Sequence, residues 1–130
     1  MRAPRGRGLS RKIFVFDEIV VPHAQLERLR SAYLEKYAPG ARGRGMKLEG
    51  AWRSPPIDLP DRASTLHFLW SVPNVGAWWR MRAGARATGD FDAPPENHED
   101  KARWWSFVDS IAVSRKRTIM TDAGEGSKDV

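Results

Sequence analysis

His67 stands in the run STLHFLWSV, residues 64 to 72, where apolar and mixed side chains alternate. A strand has a side-chain period of two, so Leu66, Phe68, Trp70 and Val72 fall on one face and Thr65, His67, Leu69 and Ser71 on the other. An imidazole changes protonation near neutral pH, which suits it to give or take a proton on a bound molecule. The competing reading is a histidine hydrogen-bonded at a contact between subunits. The run MKLEGAWRS, residues 46 to 54, alternates in the same way. It sets Met46, Leu48, Gly50 and Trp52 against Lys47, Glu49, Ala51 and Arg53. Glu49 and Arg53 then share a face about 13 Å apart by the rise of a strand. That is too far for a mutual pair, yet either reaches His67 from an adjacent strand to orient it or to hold a polar group of a substrate. The competing reading for this pair is a solvated strand edge. His67, Glu49 and Arg53 are the expected catalytic residues. Asp17 and Glu18, adjacent in KIFVFDEIVV, point to opposite faces, so one of them is expected beside a ligand, and alternation does not choose between them.

Six tryptophans occur in 130 residues, two pairs of them adjacent, Trp78-Trp79 and Trp104-Trp105. Neighbours on a helix diverge by about 100°, so one member of each pair is expected at a cavity, an interface or a ligand. Aromatic walls bind flat apolar molecules, and they anchor subunit interfaces equally well. Trp52, Trp70, Trp79, Asp17, Glu18 and Arg82 are accordingly the expected ligand contacts. Arg80 and Arg82 suit a carboxylate or phenolate, or plain solvent.

The histidines at 23, 67 and 98 have no metal-ligand spacing, and the absence of cysteine removes thiolate nucleophiles and cysteine-held metal centres. GARGRG lacks the lysine and hydroxyl of a phosphate-binding loop and reads as a turn from helix to strand. His23 and His98 are expected at the surface. The formal charge of +6 is unevenly spread: Arg2, Arg5, Arg7, Arg11 and Lys12 crowd the first twelve positions, while Ile13 to Thr121 carries 16 basic and 13 acidic residues. Residues 1–11 therefore read as a basic tail, 12–121 as a single domain and 122–130 as a polar tail, with nucleic acid not expected as a partner. No stretch nears the roughly 20 apolar residues of a membrane span. The N-terminus lacks the apolar run of a secretory signal, so a cytoplasmic location and no membrane partner are expected.

Around these residues the chain reads as strand, helix, strand, strand, helix, short helix, strand. The first strand, from Lys12, stops at Pro22. A helix with Leu26, Leu29, Tyr33 and Tyr37 on one face is expected to end at Pro39-Gly40. VGAWWRMRAGARA is a second helix ending before Gly89. A loop with Phe91 and Pro94-Pro95 then leads, through a cap at or near Asn97, to a short helix over HEDKARWWSFVDS, and residues 110 to 120 form the last strand. Such an order is most simply an α+β domain, one antiparallel sheet with its helices on one face. The other sheet face, too mixed for bare solvent and too polar for a dry core, calls for a cavity or a partner subunit.

The order of elements, with GMKLEGAWRS, the following TLHFLWSV and the terminal SRKRTIM, resembles NIPSNAP-like proteins of the dimeric α/β-barrel superfamily over about residues 12 to 120. It departs from the Glu-X-Arg of their first strand, with Phe14 and Phe16 near those places. The resemblance implies a ferredoxin-like βαββαβ protomer that forms a homodimer sheet to sheet, enclosing a barrel. The superfamily's members range from cofactor-free monooxygenases, cyclases and dehydratases to haem-degrading enzymes and proteins without known activity. The expectation is a small enzyme without a cofactor that binds an aromatic or polycyclic apolar molecule and works by acid/base chemistry. The alternative is a non-catalytic dimer that binds a small molecule, or haem with His67 as axial ligand.

Overall fold

The computed structural model describes residues 11–83 and 96–124. Four strands, β1 (Ile13–Pro22), β2 (Lys47–Ser54), β3 (Ala63–Val72) and β4 (Ser114–Thr121), form one sheet in the order β2-β3-β1-β4. Every neighbouring pair is antiparallel. The two connections that run through helices, β1 to β2 and β3 to β4, each skip one strand, which is the split βαβ pattern of the ferredoxin-like fold.

The strands form where β-branched and aromatic residues alternate with others. In β1 the odd positions Ile13, Val15, Asp17, Ile19 and Val21 are buried, and the even ones are half-buried up to the exposed Pro22. In β3, Leu66, Phe68, Trp70 and Val72 are buried, as the alternation predicts, and His67 lies on the opposite face.

The first helical region covers the buried face with a short 3-10 turn (His23–Gln25), α1 (Leu26–Ala32), a π turn (Tyr33–Tyr37) and α2 (Ala38–Gly43). It runs past the expected stop at Pro39-Gly40. The π turn opens the ladder, so that Ala38 N–H bonds to Tyr33 O, and Pro39 falls in the first turn of α2, where a missing N–H costs nothing. The end comes instead at Gly45, whose φ of 97° suits glycine. Its N–H bonds to Arg42 O at 3.0 Å and that of Met46 to Ala41 O at 3.0 Å, the paired bonds of a Schellman cap.

α3 (Val75–Ala83) starts at Asn74, whose Oδ1 accepts Ala77 N–H at 2.8 Å. α4 (Glu96–Ile111) has 16 residues and is not the short helix expected. The end expected for the second helix near Gly89, the loop with Phe91 and Pro94-Pro95, all but the last residue of the basic tail, and the polar tail from 125 onward lie outside the described residues. No described helix is long and apolar enough to cross a membrane.

Between the helices and the sheet lies a core of Val15, Ile19, Val21, Leu29, Tyr33, Phe68, Trp70, Val72 and Val108, each 0–1% exposed. Burying a side chain of this size contributes about 1.5–3 kcal/mol. Tyr33 stacks on Phe68 with ring centroids 3.6 Å apart, and Trp104 meets Tyr33 edge-on at 5.9 Å.

Candidate functional site

The face of the sheet away from the helices carries the candidate site, and cross-strand register fixes its layout. Trp52 opposes His67, His67 opposes Glu18, and Glu18 opposes Lys116, so one rung crosses all four strands. The next rung holds Gly50, Leu69, Phe16 and Thr118, and the one beyond it Lys47, Ser71, Phe14 and Met120. On the other side of the His67 rung, Ser54, Thr65, Val20 and Ser114 line up. Phe14, Phe16, Val20 and Leu69 are half-buried and Trp52 is 53% exposed, which gives the face an apolar floor with polar side chains on every rung.

His67 is fixed from three sides. Its Nε2 lies 2.9 Å from Ser54 Oγ, its Nδ1 3.9 Å from Glu18 Oε2, and its ring stacks on Phe16 at 5.9 Å with 24° between the planes. The separation from Glu18 exceeds a hydrogen bond, so the carboxylate acts on the imidazole as a charge. A negative group facing Nδ1 favours the proton on that nitrogen and leaves Nε2 as the acceptor for the serine hydroxyl. Both side chains are partly shielded, His67 at 22% and Glu18 at 33% exposure. The arrangement is suited to passing a proton at Nε2 while Glu18 steadies the imidazolium.

Of the expected catalytic residues, Glu49 and Arg53 do not join His67. A register irregularity between Leu48 and Gly50 gives β2 one extra residue, so Glu49 and Arg53 lose their common face. Glu49 stays on the open face but binds Ser71, whose hydroxyl donates to Oε2 at 2.5 Å, with Lys12 Nζ at 3.9 Å. The Ser71 bond, with Lys47 and Lys12 nearby, holds the Glu49 carboxyl below its usual value. Arg53 opposes Leu66 on the helix-side face and binds Asp58 Oδ1 at 2.9 Å and Pro56 O at 3.4 Å, which ties down the loop after β2. The same irregularity brings Trp52 and Ser54 to the His67 side. Trp52 folds back over Gly50, and a Cβ there would overlap the indole.

Strand one divides as alternation requires: Glu18 faces His67, and Asp17, 1% exposed, faces the helices. Asp17 is therefore removed from the expected ligand contacts, and so is Trp70, at 0% exposure. Both belong to a buried polar chain. Trp70 Nε1–H donates to Tyr33 Oη at 2.6 Å, Tyr33 donates to Asp17 Oδ2 at 2.7 Å, and Arg117 donates to both Asp17 oxygens and to Tyr37 Oη. Burial, then the charge of Asp17, push the Tyr33 phenol well above its usual value. Burial works against the charge of Arg117, but the bonds and charge of Asp17 outweigh it and raise the guanidinium.

Trp79 is 63% exposed on α3, while its neighbour Trp78 packs against the core with Arg82 at 5.6 Å over its ring. Trp104 and Trp105 do not divide in this way: both pack on the core, Trp104 against Tyr33 and Tyr37, Trp105 against Tyr37 and under the guanidiniums of Arg115 and Arg117. The cationic edge of β4 covers the ring that helix geometry turns outward. His23 is half-buried, with Nε2 4.0 Å from Asp58, rather than on the open surface. Among the described residues no three His, Asp or Glu side chains gather as a metal-binding group.

Sequence reasoning passed over Ser54. Its signal was Gly50, since glycine inside a strand often marks a bulge, and one extra residue moves Ser54 to the His67 face.

No family model matches the chain, and no curated protein matches it at a significant level. Among solved structures it is similar to an uncharacterised NIPSNAP domain protein from Burkholderia xenovorans, at 12% identity and a TM-score of 0.54 over 86% of this chain and 95% of the other. Two NIPSNAP family proteins from Agrobacterium tumefaciens str. C58 each give a TM-score of 0.53. One has 12% identity over 84% of this chain and 90% of its own, the other 14% over 88% and 90%. At these identities the likeness is one of fold, and the chain has the ferredoxin-like architecture of NIPSNAP family structures over most of its length.

Proposed function

We propose that this protein is a small enzyme that binds an aromatic or polycyclic apolar molecule on the open sheet face and moves a proton on it through His67, without a cofactor of its own. The observation that carries the reading is the setting of His67: Ser54 at 2.9 Å from Nε2, Glu18 at 3.9 Å from Nδ1, and Phe16 stacked on the ring, amid half-buried apolar side chains and the exposed Trp52. Trp52, Phe16 and Leu69 supply a flat apolar surface, and the imidazole supplies the acid or base for a cyclisation, dehydration, isomerisation or cofactor-independent oxygenation. A second copy of the chain, packed sheet to sheet, turns this open face into an enclosed cavity and keeps water from the reacting centre. The haem alternative has less support, since axial ligation through Nε2 gives up the bond to Ser54.

Binding is tested by titrating the protein with 2-naphthol and following backbone amide NMR shifts. The reading expects shifts confined to Phe16, Glu18, Trp52, His67 and Leu69 and their neighbours. Shifts confined to α1 and α4 contradict it.

A further inference from the structure

Ser54, His67 and Glu18 lie side by side on three adjacent strands, β2, β3 and β1, and their functional atoms follow one another across the sheet: Oγ to Nε2 at 2.9 Å, Nδ1 to Oε2 at 3.9 Å. A hydroxyl within hydrogen-bond reach of an imidazole is the pair that activates a serine, and the carboxylate facing the other nitrogen, beyond hydrogen-bond reach, supports the imidazolium by its charge. Ser54 ends β2 and is exposed, so a substrate carbonyl has access to its oxygen, whereas His67 and Glu18 are set back in the sheet. Trp52, opposite His67 and 53% exposed, stands one alternation away on the same strand and offers a wall for an apolar acyl group.

We infer that Ser54 is a nucleophile and that the open face transfers acyl groups, taking an ester of an aromatic or other apolar carboxylic acid. Ser54 Oγ bonds to the ester carbonyl carbon as its proton passes to His67 Nε2. The bond from that carbon to the alcohol oxygen breaks, and His67 returns the proton to the departing alcohol. Water then attacks the acyl-serine and gives a proton to Nε2. The acid leaves, and Ser54 Oγ recovers its hydrogen. Glu18 is a positioning residue that holds the tautomer and offsets the imidazolium charge.

This goes beyond the proton-transfer reading and fails separately from it. A wild-type protein that moves protons on a ketone but forms no acyl-serine overturns the present inference alone. The full chain is treated with a fluorophosphonate and, in a second experiment, with 4-nitrophenyl hexanoate, and the adduct is located by peptide mass spectrometry. The expected result is one adduct per chain, on Ser54, with a burst of nitrophenol, no adduct on Ser54→Ala, and an adduct restored by Ser54→Cys with the ester. His67→Gln lowers the labelling rate about 100-fold or more, and Glu18→Gln lowers it about tenfold. No adduct, an adduct at another residue, or labelling of Ser54 at an unchanged rate in His67→Gln overturns the inference. An unchanged rate in Glu18→Gln removes Glu18 from it.

Discussion

Arg117 and Asp17, 100 positions apart in the chain, meet side by side, with Nε 2.6 Å from Oδ1 and Nη2 2.7 Å from Oδ2. A bidentate bond of this kind is strong and directional, and it clamps the edge strand β4 to the central strand β1 from the helix side. The side chain of Asp17 is 2% exposed and that of Arg117 34%, so solvent screens part of the attraction. Removing the cation leaves a buried carboxylate whose remaining partner is Tyr33. Arg117→Ala is therefore expected to cost about 2–3 kcal/mol, below the about 3–5 of a fully buried pair. Arg117→Lys recovers only part, since a lysine cannot present the fork. Chemical denaturation measures this, and a loss under about 0.5 kcal/mol contradicts the role given to the pair.

Tyr33 makes stability fall in alkali. Burial and Asp17 raise its phenol above the ordinary value of 10.0. The unfolded chain therefore releases that proton first. The contribution is complete below about pH 10 and is lost as the pH rises above it, by up to about 1.4 kcal/mol per pH unit. Denaturation curves between pH 9 and 11 are expected to show this slope in the wild type and its loss in Tyr33→Phe.

Gly50 holds a place for the indole of Trp52, because any Cβ there overlaps the outer ring. Gly50→Ala is expected to displace the Trp52 ring with little change in stability, since the overlapping atoms are the far end of a side chain half open to solvent. The Trp52 indole N–H resonance measures this, and an unmoved resonance contradicts the packing described.

The four strands and the faces of β1 and β3 were legible in the sequence because alternation of apolar side chains is local information, although the last strand starts at Ser114 and not at residue 110, since α4 runs on to Ile111. The face assignment of His67 followed directly from Leu66, Phe68 and Trp70. What alternation does not carry is the count of residues along a strand. One irregularity at Leu48/Gly50 exchanged Arg53 for Ser54 as the neighbour of His67. Nor does local pattern reveal that Asp17 has a partner in Arg117, so a buried structural acid passed for a ligand contact. Pro39 misled for a similar reason. The π turn that accommodates it spans Tyr33 to Tyr37, both buried in the core, and local pattern does not show it.

Glu49 provides a check on the polar end of the open face. The Ser71 hydroxyl is the main cause of its lowered carboxyl, ahead of Lys47 and Lys12. Ser71→Ala is expected to shift the Glu49 titration upward, toward the ordinary 4.5, as followed by carboxyl NMR. A downward or absent shift contradicts the bond.

If the open face is closed by a second copy, charge placed at its centre must prevent it. Phe16→Asp with Leu69→Asp sets carboxylates on one rung of the apolar floor. Sedimentation is expected to give a dimer for the wild type and a monomer for the double variant. A monomeric wild type contradicts the enclosed cavity.

If His67 moves protons on a bound aromatic molecule, the protein speeds deuterium incorporation into a ketone that offers an acidic C–H. With 2-tetralone in heavy water, NMR follows exchange of the C–H next to the carbonyl, comparing the wild-type protein with His67→Gln. The prediction is exchange at least about 100-fold faster than in buffer of the same acidity, and a fall to near the buffer rate in His67→Gln. Equal rates for the two proteins contradict it.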